Sequence, residues 1–313
     1  MRPCAQSTGL SSGTRTGRHG WRFKISRRSS QASSGKKSGR GEATAFALAS
    51  DWHVEERVER ASVNGLNEHS LAIADRKIDS YYRHVVDLLR LNRGGVEIRT
   101  LVHPLLGDFF SGHIHEDLVE VTELSPTQAV IWLEQRISAG IRYLLEHGDL
   151  ERIVVPCTIG NHGRTTKKPR IATAMRHSYE WLLYQHLRGA FSSERRVEFR
   201  IADGYHLVLD CHGLTVRLHH GDAVRYAGGV GGLTIPLNKA MSAWDKALRA
   251  DLDCFGHWHQ LLWLPRAVGN GSLIGYGSFS VWIKADYEPA AQAFFLIDAQ
   301  HRRRTMQTPI WLE

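Results

Sequence analysis

A chain of 313 residues, 42% hydrophobic and 23% charged, is long enough to bury a large core and too ordinary in composition to be fibrous or wholly disordered. No apolar run approaches the roughly 20 residues of a membrane-spanning helix, and the N-terminus lacks the apolar stretch of a secretory signal, so a cytoplasmic protein with no membrane partner is expected. The net charge of +8 is local: residues 1–41 carry ten Lys/Arg and no Asp or Glu, and the rest of the chain holds 30 basic residues against 32 acidic ones.

Residues 1–42 are rich in Ser, Gly, Thr, Arg and Lys. Such a segment cannot bury enough surface to offset its ordering entropy, which predicts a disordered basic tail followed by a single folded domain over residues 43–313. Three readings of the tail stay open: a basic arm for nucleic acid, a transit-like peptide, and an extension upstream of the domain. The apolar run at 43–50 predicts a buried strand. Within 67–92, Leu71, Ala74, Ile78, Tyr81, Val85 and Leu88 recur at a helical period, and Gly94-Gly95 ends that helix. Residues 96–102 alternate into a second strand. Ser125 is placed to cap a helix with Pro126 in its first turn, and Val130, Leu133, Ile137, Ile141 and Leu144 carry it on.

A third strand at 152–157 and a helix over about 170–188 follow. After Arg195 come short strands at 197–201, 206–210 and 214–219, a glycine-rich loop at 228–232, a helix over about 236–249, a strand at 252–255 and further C-terminal strands. Strand–helix alternation followed by a strand-rich half predicts an α/β fold of two packed sheets flanked by helices. Cys4, Cys157, Cys211 and Cys254 lie far apart, and Cys157 and Cys254 sit in apolar runs that predict buried free thiols in a reducing compartment.

Five short patterns stand at the carboxyl ends of predicted strands, where α/β sheets collect ligand sites. They are Asp51-Trp52-His53, Gly107-Asp108, Gly160-Asn161-His162, His219-His220-Gly221-Asp222 and Gly256-His257-Trp258-His259. On an extended segment His257 and His259 would point the same way, one to each of two adjacent metals. The donors are Asp, His and Asn with no thiolate, which suits Mn²⁺, Fe or Zn²⁺ better than Cu(I) or an iron–sulfur cluster. Each pattern alone has a plain account: Asp51 as a helix cap, Asp108 as a turn former, Asn161 in a left-handed turn, His220 as a surface histidine. His113/His115 is a second H-x-H pair of the kind that 18 histidines produce by chance. Five patterns in series outweigh those accounts.

The series D-x-H, G-D, G-N-H, H-G and G-H-x-H resembles that of the calcineurin-like metallophosphoesterases, and it spans about residues 44–260. The wider texture of residues 107–116 and 220–229 is similar to phage and prophage members described as DNA-repair-exonuclease-like. The resemblance implies a four-layer αββα sandwich of two mixed β-sheets flanked by helices. It also implies two divalent metal ions about 3.5–4 Å apart, Mn²⁺ before Fe, Zn²⁺ or Mg²⁺, and a metal-bridging hydroxide that attacks phosphorus in line. Carried over by position, Asp51, His53 and His259 would hold the first metal, Asn161, His220 and His257 the second, and Asp108 would bridge them. His162 would be the catalytic residue outside the metals, steadying phosphoryl oxygens or protonating the leaving group. The family often places Asp or Glu where this chain has Gly163, so a carboxylate that would orient His162 is missing. Asp222 reads equally as a partner of the second set or as a turn former.

Arg164, Lys167, Lys168 and Arg170 closely follow His162 and are read as substrate-binding cations for a polyanion, against the plainer reading of a solvated loop. Trp52 and Trp258 alternate with ligands and are expected to turn into the core. The glycine-rich loop has no Walker lysine and is weak evidence for a nucleotide. The leading expectation is a metal-dependent phosphodiesterase or nuclease, a stand-alone catalytic domain acting on DNA or another nucleic acid. A phosphomonoesterase for a nucleotide or phosphoprotein is the alternative. A metal-poor interaction scaffold on the same fold is a third reading, weakened because all seven ligand positions are present.

Overall fold

Alternation along each strand decides which layer its two faces meet. The computed structural model describes residues 23–25, 41–225 and 232–312. Its first strands are β1 (Phe23–Ile25) and β2 (Glu42–Ala47). Ala43, Ala45 and Ala47 of β2 face a helical layer, and small residues there let helices approach closely. Phe46 and Leu48 point the other way, into a core shared with a second sheet.

The helical layer follows from sequence signals that act locally. Ser70 accepts from the Ile73 N–H and starts α1 (Leu71–Asn92), whose Ile78, Tyr81, Val85 and Leu89 are buried. After β3 (Glu97–Val102) and the short α2 (Glu116–Val121), Ser125 and Gln128 form a reciprocal capping box with Pro126 in the first turn of α3 (Pro126–His147). β4 (Arg152–Cys157) follows. The next helix, α4 (Tyr179–Ala190), begins later than its periodicity predicts, because Ser178 accepts from the Glu180 N–H and sets the start there. Residues 163–178 therefore form a loop, with a single 3-10 turn at Met175–His177.

The chain continues through β5 (Val197–Ile201), β6 (Leu207–Cys211), β7 (Leu214–Leu218), α5 (Thr234–Trp244) and β8 (Leu252–Phe255). It closes with β9 (Leu262–Leu264), β10 (Ala267–Gly269), α6 (Ser278–Ile283), β11 (Ala291–Asp298) and β12 (Arg303–Trp311). Two six-stranded mixed sheets result, in the orders β12-β11-β2-β3-β4-β5 and β1-β6-β7-β8-β10-β9. Phe46 stacks on Phe295 at 4.9 Å between the sheets, with Val102, Leu209, Leu218 and Cys254 in the same core. On the outer face of the second sheet, Phe255 and Ala267 meet Leu237 and Met241 of α5. The order helices, sheet, sheet, helix is the four-layer α/β sandwich expected.

Cys157, Cys211 and Cys254 are buried and free. Among the described residues no helix is long and apolar enough to cross a membrane. Within the segment expected to be disordered, Phe23–Ile25 pairs in parallel with β6. The remainder of that tail and residues 228–231 of the glycine-rich loop lie outside the described residues.

One buried histidine makes the fold acid-sensitive. His103 Nδ1 donates to the Ala47 carbonyl at 2.9 Å, and both its nitrogens lie 3.3 Å from tyrosine hydroxyls, Tyr81 and Tyr82. Burial depresses its pKa from 6.5 to about 4, against the opposing hydrogen bond to Ala47. A depressed folded-state pKa means stability that is complete above pH 6.5 and lost as pH falls through about 4, worth about 3 kcal/mol. Urea unfolding between pH 6.5 and 4 should therefore show a shallower loss of stability in His103→Asn than in the parent chain. Equal slopes would remove His103 from the account.

Candidate metal centre

Loops leaving the carboxyl ends of β2, β3, β4, β7 and β8 bring the five sequence patterns together. Asp51, four residues beyond β2, is fully buried. Its two carboxylate oxygens accept the His257 N–H at 3.0 and 2.9 Å, and the Ser50 hydroxyl donates to it at 2.5 Å. Ser50 is itself held by a buried amide network. Asn270 Nδ2 donates to Ser50 Oγ at 2.8 Å and to Gln292 Oε1 at 3.0 Å, and Gln292 Oε1 also accepts from Ser50 N at 3.0 Å. The turn that presents Asp51 is thus fixed by polar groups with every partner inside the core.

Asp108 lies at the centre. Its Oδ2 is 2.9 Å from His220 Nε2, and its Oδ1 accepts the His162 N–H at 2.8 Å. His220 Nδ1 donates to the Leu106 carbonyl at 2.8 Å, so Nε2 faces Asp108 and Asn161 Oδ1, the latter at 3.1 Å. His162 Nδ1 donates to the Ser111 carbonyl at 2.9 Å, which leaves Nε2 as the nitrogen presented to a ligand. His53 Nδ1 is 2.8 Å from Ser111 Oγ, and His259 Nε2 is 3.6 Å from Asp51 Oδ1.

Three donor groups result, each with its ligand atoms within 4.8 Å of one another: Asp51, His53 and His259; His53, Asp108 and His162; Asp108, His220 and His257. These clusters could hold metal ions. His53 Nε2 is buried without a hydrogen-bond partner, an omission that a cation would repair. Burial, then the neighbouring imidazoles His162 and His259, hold His53 well below its usual pKa. Burial and His220 lower His257 to about 4, and burial and His257 lower His259 to about 3. All three are neutral at physiological pH, the state in which imidazole ligates a metal. Burial, with Asp108 adding and His220 opposing, lifts Asp51 to about 7, so its ionised form wants a positive partner. Burial works against charge at Asp108 and His220 as well, yet without a cation each holds the other ionised; a cation beside Asp108 would take the place of the His220 proton and leave that imidazole neutral. The donor set fits divalent cations.

The backbone at these positions is not that of an extended strand. Asp51, His53, Asp108, His257 and His259 have φ of 55°, 45°, 54°, 72° and 54°, in the left-handed region that non-glycine residues rarely occupy. The expected extended Gly256–His259 segment is instead a tight turn: Trp258 N–H reaches the Gly256 carbonyl at 2.9 Å across His257. His257 and His259 still separate into different donor groups. Close approach also requires glycine, since a Cβ at Gly256 would lie 2.3 Å from Asp51 Oδ2 and one at Gly160 would lie 2.1 Å from Asp108 Oδ1.

Several residues give no sequence signal. Glu180, fully buried on α4, accepts from Phe109 N at 2.9 Å and Gly160 N at 2.6 Å, tying the Asp108 loop to the Asn161 loop. A side chain at Gly163 has no room beside it, since a Cβ there would lie 2.8 Å from Glu180 Cγ. His162 is oriented by the Ser111 carbonyl instead of a carboxylate one residue on. Ser111 Oγ donates to Glu56 Oε2 at 2.5 Å, which places a carboxylate behind both His53 and His162. Asp222 is exposed and hydrogen-bonds the Tyr205 hydroxyl, not the cluster. Trp52 is buried edge-on to Phe109 at 4.8 Å, as expected, whereas Trp258 is only half-buried. Arg164 Nη1 donates to the Asn161 carbonyl at 2.7 Å, and Lys167, Lys168 and Arg170 are exposed. His115 also approaches, its ring 6.4 Å from that of His162.

No protein-family model matches the chain, and no curated protein matches it. Among solved structures, a hypothetical protein of Pyrococcus horikoshii is 13% identical over 86% of this chain and 89% of its own, with a TM-score of 0.38. Chaetomium thermophilum Vps29 is 10% identical over 86% of this chain and 98% of its own, with a TM-score of 0.32. An Aquifex aeolicus protein of unknown function is 14% identical over 76% of this chain and 93% of its own, with a TM-score of 0.29. Superpositions this loose leave the chemistry of the site to be read from its own residues.

Proposed function

We propose that this chain is a metal-dependent phosphodiesterase acting on DNA or another nucleic acid. The observation that carries the reading is Asp108, which shares one donor group with His53 and His162 and another with His220 and His257. In this reading Asp51, His53 and His259 would hold one divalent cation and Asn161, His220 and His257 a second, with Asp108 available to either group. Oxygen and imidazole donors favour Mn²⁺, with Fe, Zn²⁺ and Mg²⁺ as alternatives. Such cations acidify water and neutralise phosphoryl charge. The remaining work belongs to side chains. His162, held by the Ser111 carbonyl, presents Nε2 to a phosphoryl or leaving-group oxygen. Arg164 is braced on the Asn161 carbonyl beside the reacting phosphate, and Lys167 and Lys168 on the same loop attract a polyanion.

Chain stripped of metal and reloaded with Mn²⁺ should hydrolyse bis(p-nitrophenyl) phosphate faster than p-nitrophenyl phosphate, and should degrade DNA. Faster monoester cleavage with DNA intact would transfer the reading to a phosphomonoesterase, and no turnover with any divalent metal would restore the scaffold. Reversing both charges, Lys167→Glu with Lys168→Glu, should lower kcat/KM for DNA roughly tenfold more than for the small diester at low salt. Equal losses on both substrates would point to a small natural substrate.

A further inference from the structure

The short helix α6 shows an apolar face to solvent. Phe279, Trp282 and Ile283 are 64%, 81% and 41% exposed, and their spacing puts them on one side of the helix. The opposite side is anchored: Val281 packs on Val58, Val63 and Ile274. Tyr287, 50% exposed, leans on Tyr276 with ring centroids 5.6 Å apart. An aromatic face this open on a folded chain asks for a ligand.

Its position says which. The segment entering α6 is fastened to the metal centre where Leu273 N donates to the Asp51 carbonyl at 3.0 Å. The segment leaving it is fastened beside His259: Gln260 Nε2 donates to the Asp286 carbonyl at 3.2 Å, and Leu261 N to Glu288 Oε2 at 2.8 Å. Trp282 is therefore four residues from a contact with the His259 loop, at most about 14 Å of chain. In the sheet order β11-β2-β3-β4, α6 precedes β11, Asp108 follows β3, and the loop of Arg164, Lys167, Lys168 and Arg170 follows β4. The strands that carry the aromatic helix and the cationic loop, β11 and β4, thus lie on either side of β2 and β3, whose loops bring Asp51, His53 and Asp108, and are three strand spacings or about 14 Å apart.

Resting on the phosphodiesterase reading, we propose that Trp282 and Phe279 form a platform on which unpaired bases of a single-stranded nucleic acid stack, while the basic loop holds the backbone on the far side of the metal centre. Flat aromatic side chains accept any base face, and a cationic groove tracks the phosphates. Bases inside a duplex are already stacked on one another, so the platform selects single strands and unpaired ends. At about 3.4 Å per stacked nucleotide, its reach covers up to about four nucleotides from the scissile phosphate.

The test compares the full chain with Trp282→Ala, Trp282→Phe and the Phe279→Ala/Trp282→Ala double variant. Binding of a fluorescein-labelled oligothymidylate about 12 nucleotides long is read by anisotropy without added metal, and cleavage is read with Mn²⁺. Trp282→Ala should weaken oligonucleotide binding roughly 5- to 100-fold, with Trp282→Phe restoring most of it. KM for the oligonucleotide should rise in proportion, far more than KM for bis(p-nitrophenyl) phosphate. Unchanged binding and KM in the double variant, with the parent cutting DNA, would overturn the platform and leave the phosphodiesterase reading standing. A parent chain that hydrolyses the small diester but neither binds nor cuts the oligonucleotide would remove the nucleic-acid reading itself, and the platform with it. A dimer by sedimentation that Trp282→Ala dissociates would reassign the face to a second copy of the chain.

Discussion

Asp108→Asn should leave the chain folded and lower turnover of a phosphodiester by at least about a thousandfold. The amide keeps the shape of the carboxylate, so His162 N–H retains an acceptor and the packing around a fully buried side chain is undisturbed. What it loses is the negative charge between the two donor groups. Losing several kcal/mol of stabilisation of developing phosphoryl charge corresponds to about a thousandfold or more in rate. A second readout does not depend on turnover: the rise in melting temperature that Mn²⁺ gives the parent chain should shrink or vanish in the variant. Unchanged circular dichroism with full activity would sink the assignment of Asp108, because among the described residues it is the one the two groups share.

Gly160→Ala should cost about 3 kcal/mol of stability and most of the Mn²⁺ affinity. The added Cβ would lie 2.1 Å from Asp108 Oδ1 and 2.5 Å from Asp108 N. Neither atom can retreat. The carboxylate is held by His220 and His162, the backbone is in a left-handed conformation, and Glu180 clamps the loops from behind. Overpacking of a rigid site costs about 1–3 kcal/mol and sometimes more. Gly189→Ala is the control, since a Cβ there meets nothing within 4 Å near the end of α4 and should be neutral or stabilise by up to about 1 kcal/mol. Equal urea midpoints for Gly160→Ala and the parent would show that the two loops have more freedom than their contacts imply.

The sequence by itself determined the layers and the residues that meet. Alternation in β2 separates Ala43, Ala45 and Ala47 from Phe46, and that binary pattern is enough to place helices on one face and a sheet on the other. Glycine beside Asp108, Asn161, His220 and His257 marked where backbone would turn sharply at strand ends. The Ser125 cap of α3 and the glycine stop after α1 were also legible, but the start of α4 was not. Residues 170–178 have a composition a helix tolerates, and only the hydrogen bond from Glu180 N to Ser178 Oγ ends the ambiguity.

Tertiary structure alone decided how the site is held. The left-handed φ of Asp51, His53, Asp108, His257 and His259 stores local strain that no pattern of residue types displays. It persists because partners distant in the chain over-determine it: Asn270 and Gln292 for the Ser50–Asp51 turn, Glu180 for the loops of Asp108 and Asn161, Ser111 and Glu56 for His53 and His162. Those partners are ordinary polar residues at uninformative spacings. Their role comes from burial, where a polar group must find its hydrogen bonds in whatever the fold brings near.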